Sequence, residues 1–161
     1  MAKAAMKDTA GESFSIEVRI ADSRDADELA AMNYEFNGVE VSDQHVISEL
    51  ANGRELVAIA VVNGSAAGFA CGQVWSSFCY DWLFGEITEM YVRPAYRNRG
   101  VGAALLTFLE KRLQEQGVMS IKILTSQDNQ RALKLYTSLG YEHKDDTAVL
   151  TKELDSNGAQ K

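Results

Sequence analysis

The chain has 161 residues, 46% of them apolar and 24% charged, with a formal net charge of −7. That length suits one domain able to bury its own core, and the acidic balance argues against nucleic acid and mildly for cationic partners. Cys71 and Cys79 are the only cysteines, and they lack metal-ligand spacing with His45 and His143; neither a disulfide framework nor a metal centre is expected, and the thiols read as small apolar side chains in a reducing cytoplasm.

Residues 1–14 are polar, carry no apolar secretion core, and read as a mobile tail. A single domain then spans 15–154, with a polar tail at 155–161. Ser15–Ala21 alternates apolar and polar side chains, the signature of a strand. Asp22 or Ser23 caps a helix that Gly38 ends, and Ser42–Gly53 repeats that logic in a shorter helix. In "ELVAIAVVNGSAAGFACGQVW" two apolar runs flank Asn63-Gly64, a pair that favours a type I′ hairpin. An aromatic loop, "SSFCYDWLF", leads into a strand at Gly85–Val92. Val101, Ala104, Leu105, Phe108, Leu109 and Leu113 keep helical spacing up to Gln116, and Gly117 stops that helix. Ser120–Thr125 reads as a strand and Asn129–Gly140 as a helix with Ala132, Leu135, Tyr136 and Leu139 on one face. "YEHK" at 141–144 and "TAVLTKEL" at 147–154 read as two closing strands. No apolar run is long enough to span a bilayer. The order is β-α-α-β-β-β-α-β-α-β-β, an α/β (α+β) pattern that fits a mostly antiparallel sheet with helices on both faces.

The stretch "RPAYRNRGVGAALLTFLEKR", Arg93–Arg112, stands out. It holds the sole proline, two glycines one residue apart, and four arginines and a lysine in an otherwise acidic chain. A helix N-terminus presents unpaired N–H groups and the positive end of its dipole, and glycine lets an anion come close to them. Arg97, Asn98, Arg99, Gly100, Val101 and Gly102 therefore make a candidate anion cradle, suited to a pyrophosphate. No Gly-Lys-Ser/Thr follows, so this is not a Walker loop. The third spaced glycine of a dinucleotide fingerprint is also missing.

"EMYVRPAYRNRGVGAALL" followed by "SIKILTSQDNQRALKLYTSLGY" closely resembles the paired motifs of the GCN5-related N-acetyltransferase (GNAT) superfamily: a strand, an R/Q-x-x-G-x-G/A loop and a helix, then an Asn…Tyr…Leu-Gly-Tyr/Phe helix. The resemblance follows element order from Ile16 to Leu154 and is dense in motif from Glu86 to Tyr141. It implies the GNAT fold, with a mixed, mostly antiparallel sheet of six to seven strands, and acetyl-CoA as cofactor. Its pyrophosphate would lie on Arg97, Asn98, Arg99, Gly100, Val101 and Gly102, with Ala103 just beyond. Backbone groups of Met90, Tyr91 and Val92 would pair with the pantetheine amides as an added strand does. Asn129 and Tyr136 match the second motif.

Acetyl transfer from a thioester to an amine needs a neutral amine, a donor for the developing oxyanion and a proton for the departing thiolate. With the resemblance in hand, Tyr136 is the candidate acid, since a phenol of pKa about 10 can donate to a thiolate whose conjugate acid lies near about 8.5. The N–H of Met90 is the candidate oxyanion donor. Glu89 is the candidate base or amine holder, on a strand where strict alternation would put Glu86, Thr88 and Met90 on one face and Ile87, Glu89 and Tyr91 on the other. The family's acceptor cleft would gather Glu35, Glu40, Asp43, Asp81, Glu86, Glu89, Asp145 and Asp146, and Trp75, Phe78, Tyr80, Trp82 and Phe84 would offer an apolar wall to a sugar or cyclitol ring. The expected acceptor is a small polycation, with the 3-N type of aminoglycoside acetyltransferase, and hence antibiotic resistance, as the nearer likeness. A polyamine, an amino acid or a protein N-terminus is the alternative acceptor. A non-catalytic acyl-CoA sensor would keep the loop and lose Tyr136 and Glu89. The expected setting is cytoplasmic, without membrane or nucleic-acid partners, and relatives that pair through their C-terminal strands allow a homodimer.

Overall fold

The structure, a computed structural model, describes residues 2–7 and 13–153. Its sheet runs in the order β1 (Ala2–Lys7), β2 (Ser13–Ile20), β3 (Glu55–Val62), β4 (Ser65–Trp75), β5 (Leu83–Val92), β6 (Val118–Ile123). Every neighbouring pair is antiparallel except β5–β6, which is parallel. Helices α1 (Ala26–Asn37) and α2 (Asp43–Asn52) lie between β2 and β3 in sequence; α3 (Val101–Glu115) crosses from β5 to β6, and α4 (Gln130–Ser138) follows β6. The mixed, mostly antiparallel GNAT-type sheet with helices on both faces is thus present.

The local signals explain most boundaries. Asn63 and Gly64 take φ of 48° and 86°, both left-handed, as a type I′ turn requires. Ser42 accepts from the His45 N–H at 3.1 Å and caps α2. Gly38, at φ 75°, donates its N–H to Tyr34 O and closes α1.

One face of the sheet carries the larger core. Leu105, Leu106, Leu109 and Leu113 of α3 pack on Ala58, Ala60, Ala67 and Ala70 of the β3–β4 hairpin, with Ile16 and Val18 of β2 and Ile87 of β5. The alanines leave room for the leucines, so the helix sits close to the sheet. On the other face Leu29 and Met32 of α1 cover Ile59, Phe69, Cys71 and Tyr91. Asp25 fixes the entry to α1. Its carboxylate accepts both Arg19 guanidinium nitrogens at 2.6 and 2.7 Å and the Asp22 N–H at 2.9 Å. Burial pushes that carboxyl up, but these bonds and the Arg19 charge outweigh it and hold it below the ordinary range.

The two chain ends depart from the expected pattern. Ala2–Lys7, expected as mobile tail, pair antiparallel with β2 from Ala2↔Val18 to Lys7↔Ser13. A strand added at a sheet edge is held by backbone bonds and needs no apolar pattern of its own. Residues 141–153 form no strand, although two closing strands were expected there. Local pairs hold this segment instead: His143 Nδ1 and Asp145 Oδ1 lie 2.6 Å apart, and Lys144 donates to Glu142 at 3.1 Å. Val149 and Leu150 are exposed, so strand-like composition alone did not supply a ladder partner. Of the strands anticipated from sequence, five are present, β2 to β6, and β1 adds one at the edge. The polar tail expected at 155–161 lies outside the described residues.

Candidate functional site

The start of α3 is built as an open helix end. Asn98 and Gly100 both adopt left-handed φ, 60° and 80°, which swing the chain into the helix. Gly100 is the N-cap residue, and no side chain caps the first turn. The amides of Val101, Gly102 and Ala103 therefore face outward with the positive end of the dipole behind them. Gly102 lies close to α4: a Cβ there would stand 3.0 Å from Leu135 Cδ2, so that side chain would have to give way. The two arginines already have work inside the fold. Arg97 Nε donates to Val92 O at 2.7 Å and its guanidinium lies over the Tyr91 ring, while Arg99 lies over Phe14. The Val92 carbonyl, expected to be free for a ligand amide, is thus engaged by Arg97.

Beside this helix end the sheet opens. β5 and β6 are paired only from Leu83↔Val118 to Ile87↔Ile123, and β5 runs on to Val92 without that partner. Met90, Tyr91 and Val92 lie on this unaccompanied stretch. A ligand with amide groups can add to such an edge as a strand would. The residues present fit an anion followed by an extended amide arm, the chemistry of a coenzyme A thioester. Tyr136 of α4 is 8% exposed, its ring 6.0 Å from that of Tyr141. Burial pushes its phenol up, so it stays protonated and able to donate. Asn129 is the N-cap of α4, accepting from the Ala132 N–H at 3.2 Å.

The strand that carries Glu89 does not alternate regularly. Cys71 pairs with Glu89 and Gly72 with Ile87, so Thr88 is an extra residue, a β-bulge. As a result Ile87 and Met90 both pack into the α3-side core, whereas Tyr91 belongs to the α1 side. This corrects the expected split of Ile87 from Met90. Glu89 is exposed, yet its carboxyl is pushed up, by partial burial first and then by the charge of Glu55.

Glu55, at the start of β3, is the residue that sequence reasoning missed. Its Oε1 accepts Thr88 Oγ1 at 2.6 Å and Gln73 Nε2 at 3.3 Å. It borders a cavity of about 200 Å³ between α1, α2 and the β3–β4 hairpin, lined also by Asn33, His45, Glu49, Phe69 and Cys71. Burial, then Glu55, raises the Cys71 thiol well above its ordinary value, which makes it a poor nucleophile. Among the described residues no basic side chain forms an ion pair with Glu49, Glu55 or Glu89. Only the side-by-side placement of three strands brings Glu55 to Thr88, and no sequence signal announces that.

The other expected acceptor residues divide. Glu86 lies on β5 but is paired with Lys122 at 3.1 Å. Glu35 accepts Tyr91 Oη at 3.0 Å and binds Arg93 at 2.9 Å, and those bonds hold its carboxyl low, the Arg93 bond most. Glu40 and Asp81 are exposed in loops, and Asp145 is tied to His143 in the C-terminal segment. Trp75 and Phe84 stack at 4.4 Å with Tyr80 and Trp82 beside them, whereas Phe78 stands fully exposed and apart. A larger cavity of about 530 Å³ near the β3–β4 turn is lined by Arg19, Asp25, Glu28 and Arg93, all already paired with one another or with Glu35.

Solved structures repeat this architecture at low identity. An aminoglycoside acetyltransferase from an uncultured soil metagenomic sample, solved with sisomicin, superposes with a TM-score of 0.75 at 14% identity over 87% of this chain and 97% of its own. Aminoglycoside N-acetyltransferase AAC(6')-Iy in complex with CoA gives 0.72 at 18% identity, over 86% and 95%. A ribosomal-protein-alanine N-acetyltransferase from Brucella melitensis biovar Abortus 2308 gives 0.71 at 18%, over 85% and 99%. At these identities the likeness establishes the fold, while the family model described as acetyltransferase (GNAT) family matches residues 23–141. The match spans α1 to α4, the open helix end and Tyr136, and the chain belongs to the GNAT acetyltransferase family.

Proposed function

We propose that this chain moves the acetyl group of acetyl-CoA to a primary amine of a small polycationic acceptor, by direct attack in a ternary complex. The observation that carries the reading is the uncapped first turn of α3, standing at the gap where β5 outruns β6. Acetyl-CoA, when bound, supplies the activated acyl group as a thioester. The amides of Val101, Gly102 and Ala103 hold the diphosphate, and the backbone of Met90 and Tyr91 aligns the arm beside them. Held in this way, a reacting pair gains on the order of 7–11 kcal/mol over free collision.

With the thioester bound, the acceptor nitrogen would gain the N–C bond and the sulfur would leave with the electrons of the C–S bond. The Met90 N–H steadies the negative charge that develops on the carbonyl oxygen. Glu89 takes the proton leaving the amine, and its raised proton affinity suits it to that task better than an ordinary surface carboxylate. Tyr136 donates its proton to the sulfur, leaving a neutral thiol and an amide. A polycation is favoured because Glu49 and Glu89 have no cationic partner among the described residues. The aromatic cluster of Trp75 and Phe84 suits the flat side of a sugar or cyclitol ring. Aminoglycosides meet both demands, and a cytoplasmic setting suits a reaction that draws on acetyl-CoA. Among the described residues no helix is long and apolar enough to cross a membrane.

Thiol release from acetyl-CoA tests the proposal, measured against aminoglycosides, polyamines, amino acids and peptides. The expected result is turnover with the first two classes and none with free amino acids. Binding of acetyl-CoA with no release against any amine would replace the enzyme with an acyl-CoA sensor. Turnover confined to peptides would move the acceptor to protein N-termini.

A further inference from the structure

We infer that Glu55 and Thr88 form a latch that fixes the β5 bulge and thereby positions both the Glu89 carboxylate and the Met90 N–H. Thr88 is the one residue of that bulge without a ladder partner on β4. Its hydroxyl is held all the same, at 2.6 Å, by a carboxylate from β3, a strand with which β5 shares no backbone pairing. The side chain of Glu55 therefore reaches across β4, and Gln73 of β4 supports the same oxygen at 3.3 Å. A bulge adds a residue that the ladder does not hold, so its backbone is free to settle in more than one way. A short, charge-assisted bond from outside the ladder selects one of them. The two residues that follow Thr88 are Glu89 and Met90, the proposed base and oxyanion donor. Glu55 touches neither reacting atom and is a positioning residue.

The latch also places a negative charge beside Glu89. The charged group that acts on that carboxyl is Glu55 on β3, and Cys71 on β4 feels both carboxylates. His45 and Glu49 on α2 line the cavity that Glu55 and Cys71 border, and Glu86 on β5 is paired with Lys122. Only Glu55 is bonded to the residue preceding Glu89. A like charge favours the protonated carboxyl, so removing it lowers the pH at which Glu89 ionises.

The kinetic arm of the test rests on the proposed acetyl transfer. Thr88→Val and Glu55→Ala should each lower kcat about tenfold at saturating acceptor with the KM for acetyl-CoA unchanged, the scale on which small misplacements act. The double variant should fall no further, because one latch is broken either way. Thr88→Ser and Glu55→Gln keep the hydroxyl and the accepting oxygen, and should recover most of the loss. The second arm needs no catalysis: the Glu89 carboxyl, titrated by carbon NMR in the full chain, should ionise at lower pH in Glu55→Gln than in wild type, and the Met90 amide resonance should move in Thr88→Val and stay in Thr88→Ser. Losses that multiply in the double variant would overturn the latch, as would a Glu89 titration untouched by Glu55→Gln or a Met90 amide untouched by Thr88→Val. A chain inert toward every amine would end the proposed function, yet the NMR arm would still decide the latch.

Discussion

The two faces of the sheet are built from different materials. On the α3 face leucines meet alanines, and Leu105, Leu106, Leu109 and Leu113 are wholly buried. On the α1–α2 face the apolar cluster is smaller, and it shares its ground with Glu49, Glu55, Glu89, Arg93 and Glu35. Apolar burial stabilises a fold in rough proportion to area, whereas carboxylates without cationic partners do the opposite. The α3 face therefore holds the sheet together, while the α1–α2 face carries the carboxylates that the proposed cationic acceptor would meet. The candidate cofactor edge runs between the two faces, where β5 leaves β6.

The sharpest way to break this division is to damage the stabilising face alone. Leu106→Ala opens a cavity in the α3 core and should cost about 3 kcal/mol of stability. Denaturant unfolding reads that loss, and the folded fraction should retain its turnover. A large fall in turnover per folded molecule would mean that the α3 face also shapes the site.

Next in size is Tyr136→Phe, which removes one oxygen from a buried ring and leaves the packing intact. General acid catalysis is worth about 10²-fold or more, so kcat should fall by at least that order while acetyl-CoA affinity, measured by calorimetry, holds. Full activity in the variant would end the acid role. Glu89→Gln comes third, with kcat/KM lower by about tenfold near neutral pH if the carboxylate accepts the amine proton or holds the amine. The sign for stability is opposite. The folded carboxyl binds its proton more tightly than the unfolded one, so its ionised form costs stability as pH rises from the ordinary carboxylate value through the raised one. The glutamine removes that cost, and the midpoint of thermal unfolding at pH 7 should rise slightly. For activity, the raised proton affinity moves the acid limb of the wild-type pH profile upward. A variant both less stable and fully active would contradict each half of the comparison.

The α3 face was largely legible in the sequence, because helical periodicity from Val101 to Leu113 and the Asn63-Gly64 turn are local signals that need no partner. The helix start was legible too, since two glycines open the apolar run, and Gly100 takes the left-handed φ that glycine favours. The α1–α2 face was not. The bulge at Thr88 exists only relative to the register of β4, and Glu55 matters only because β3 lies one strand beyond. Glu35 looked like an acceptor carboxylate until Arg93 and Tyr91, both remote in sequence, were placed against it. At the ends, Ala2–Lys7 are held by pairing with a strand they adjoin only in the fold, and the 147–153 segment has no ladder partner in the described structure.

The smallest expected effect tests how the edge between the faces grips an anion. Arg97 and Arg99 flank the α3 start, but Arg97 is bonded to Val92 O and both guanidinium groups lie over aromatic rings. The helix N-terminus itself can supply about 0.3–1 kcal/mol of dipole attraction, apart from its direct N–H bonds. Exposed charge pairs add a similar amount and are screened by salt. The Arg97→Ala, Arg99→Ala double variant should therefore weaken acetyl-CoA binding only about fivefold, and the gap from wild type should close as salt rises. Arg97→Ala alone should account for more than half of it, because the bond to Val92 O and the Tyr91 ring fix the Arg97 charge beside the β5 edge, whereas Arg99 has only Phe14 to hold it. Unchanged affinity would leave the grip entirely to the amides of α3; a loss beyond about a hundredfold, roughly 2.7 kcal/mol, would show that the guanidinium groups leave their aromatic rings to hold the anion directly.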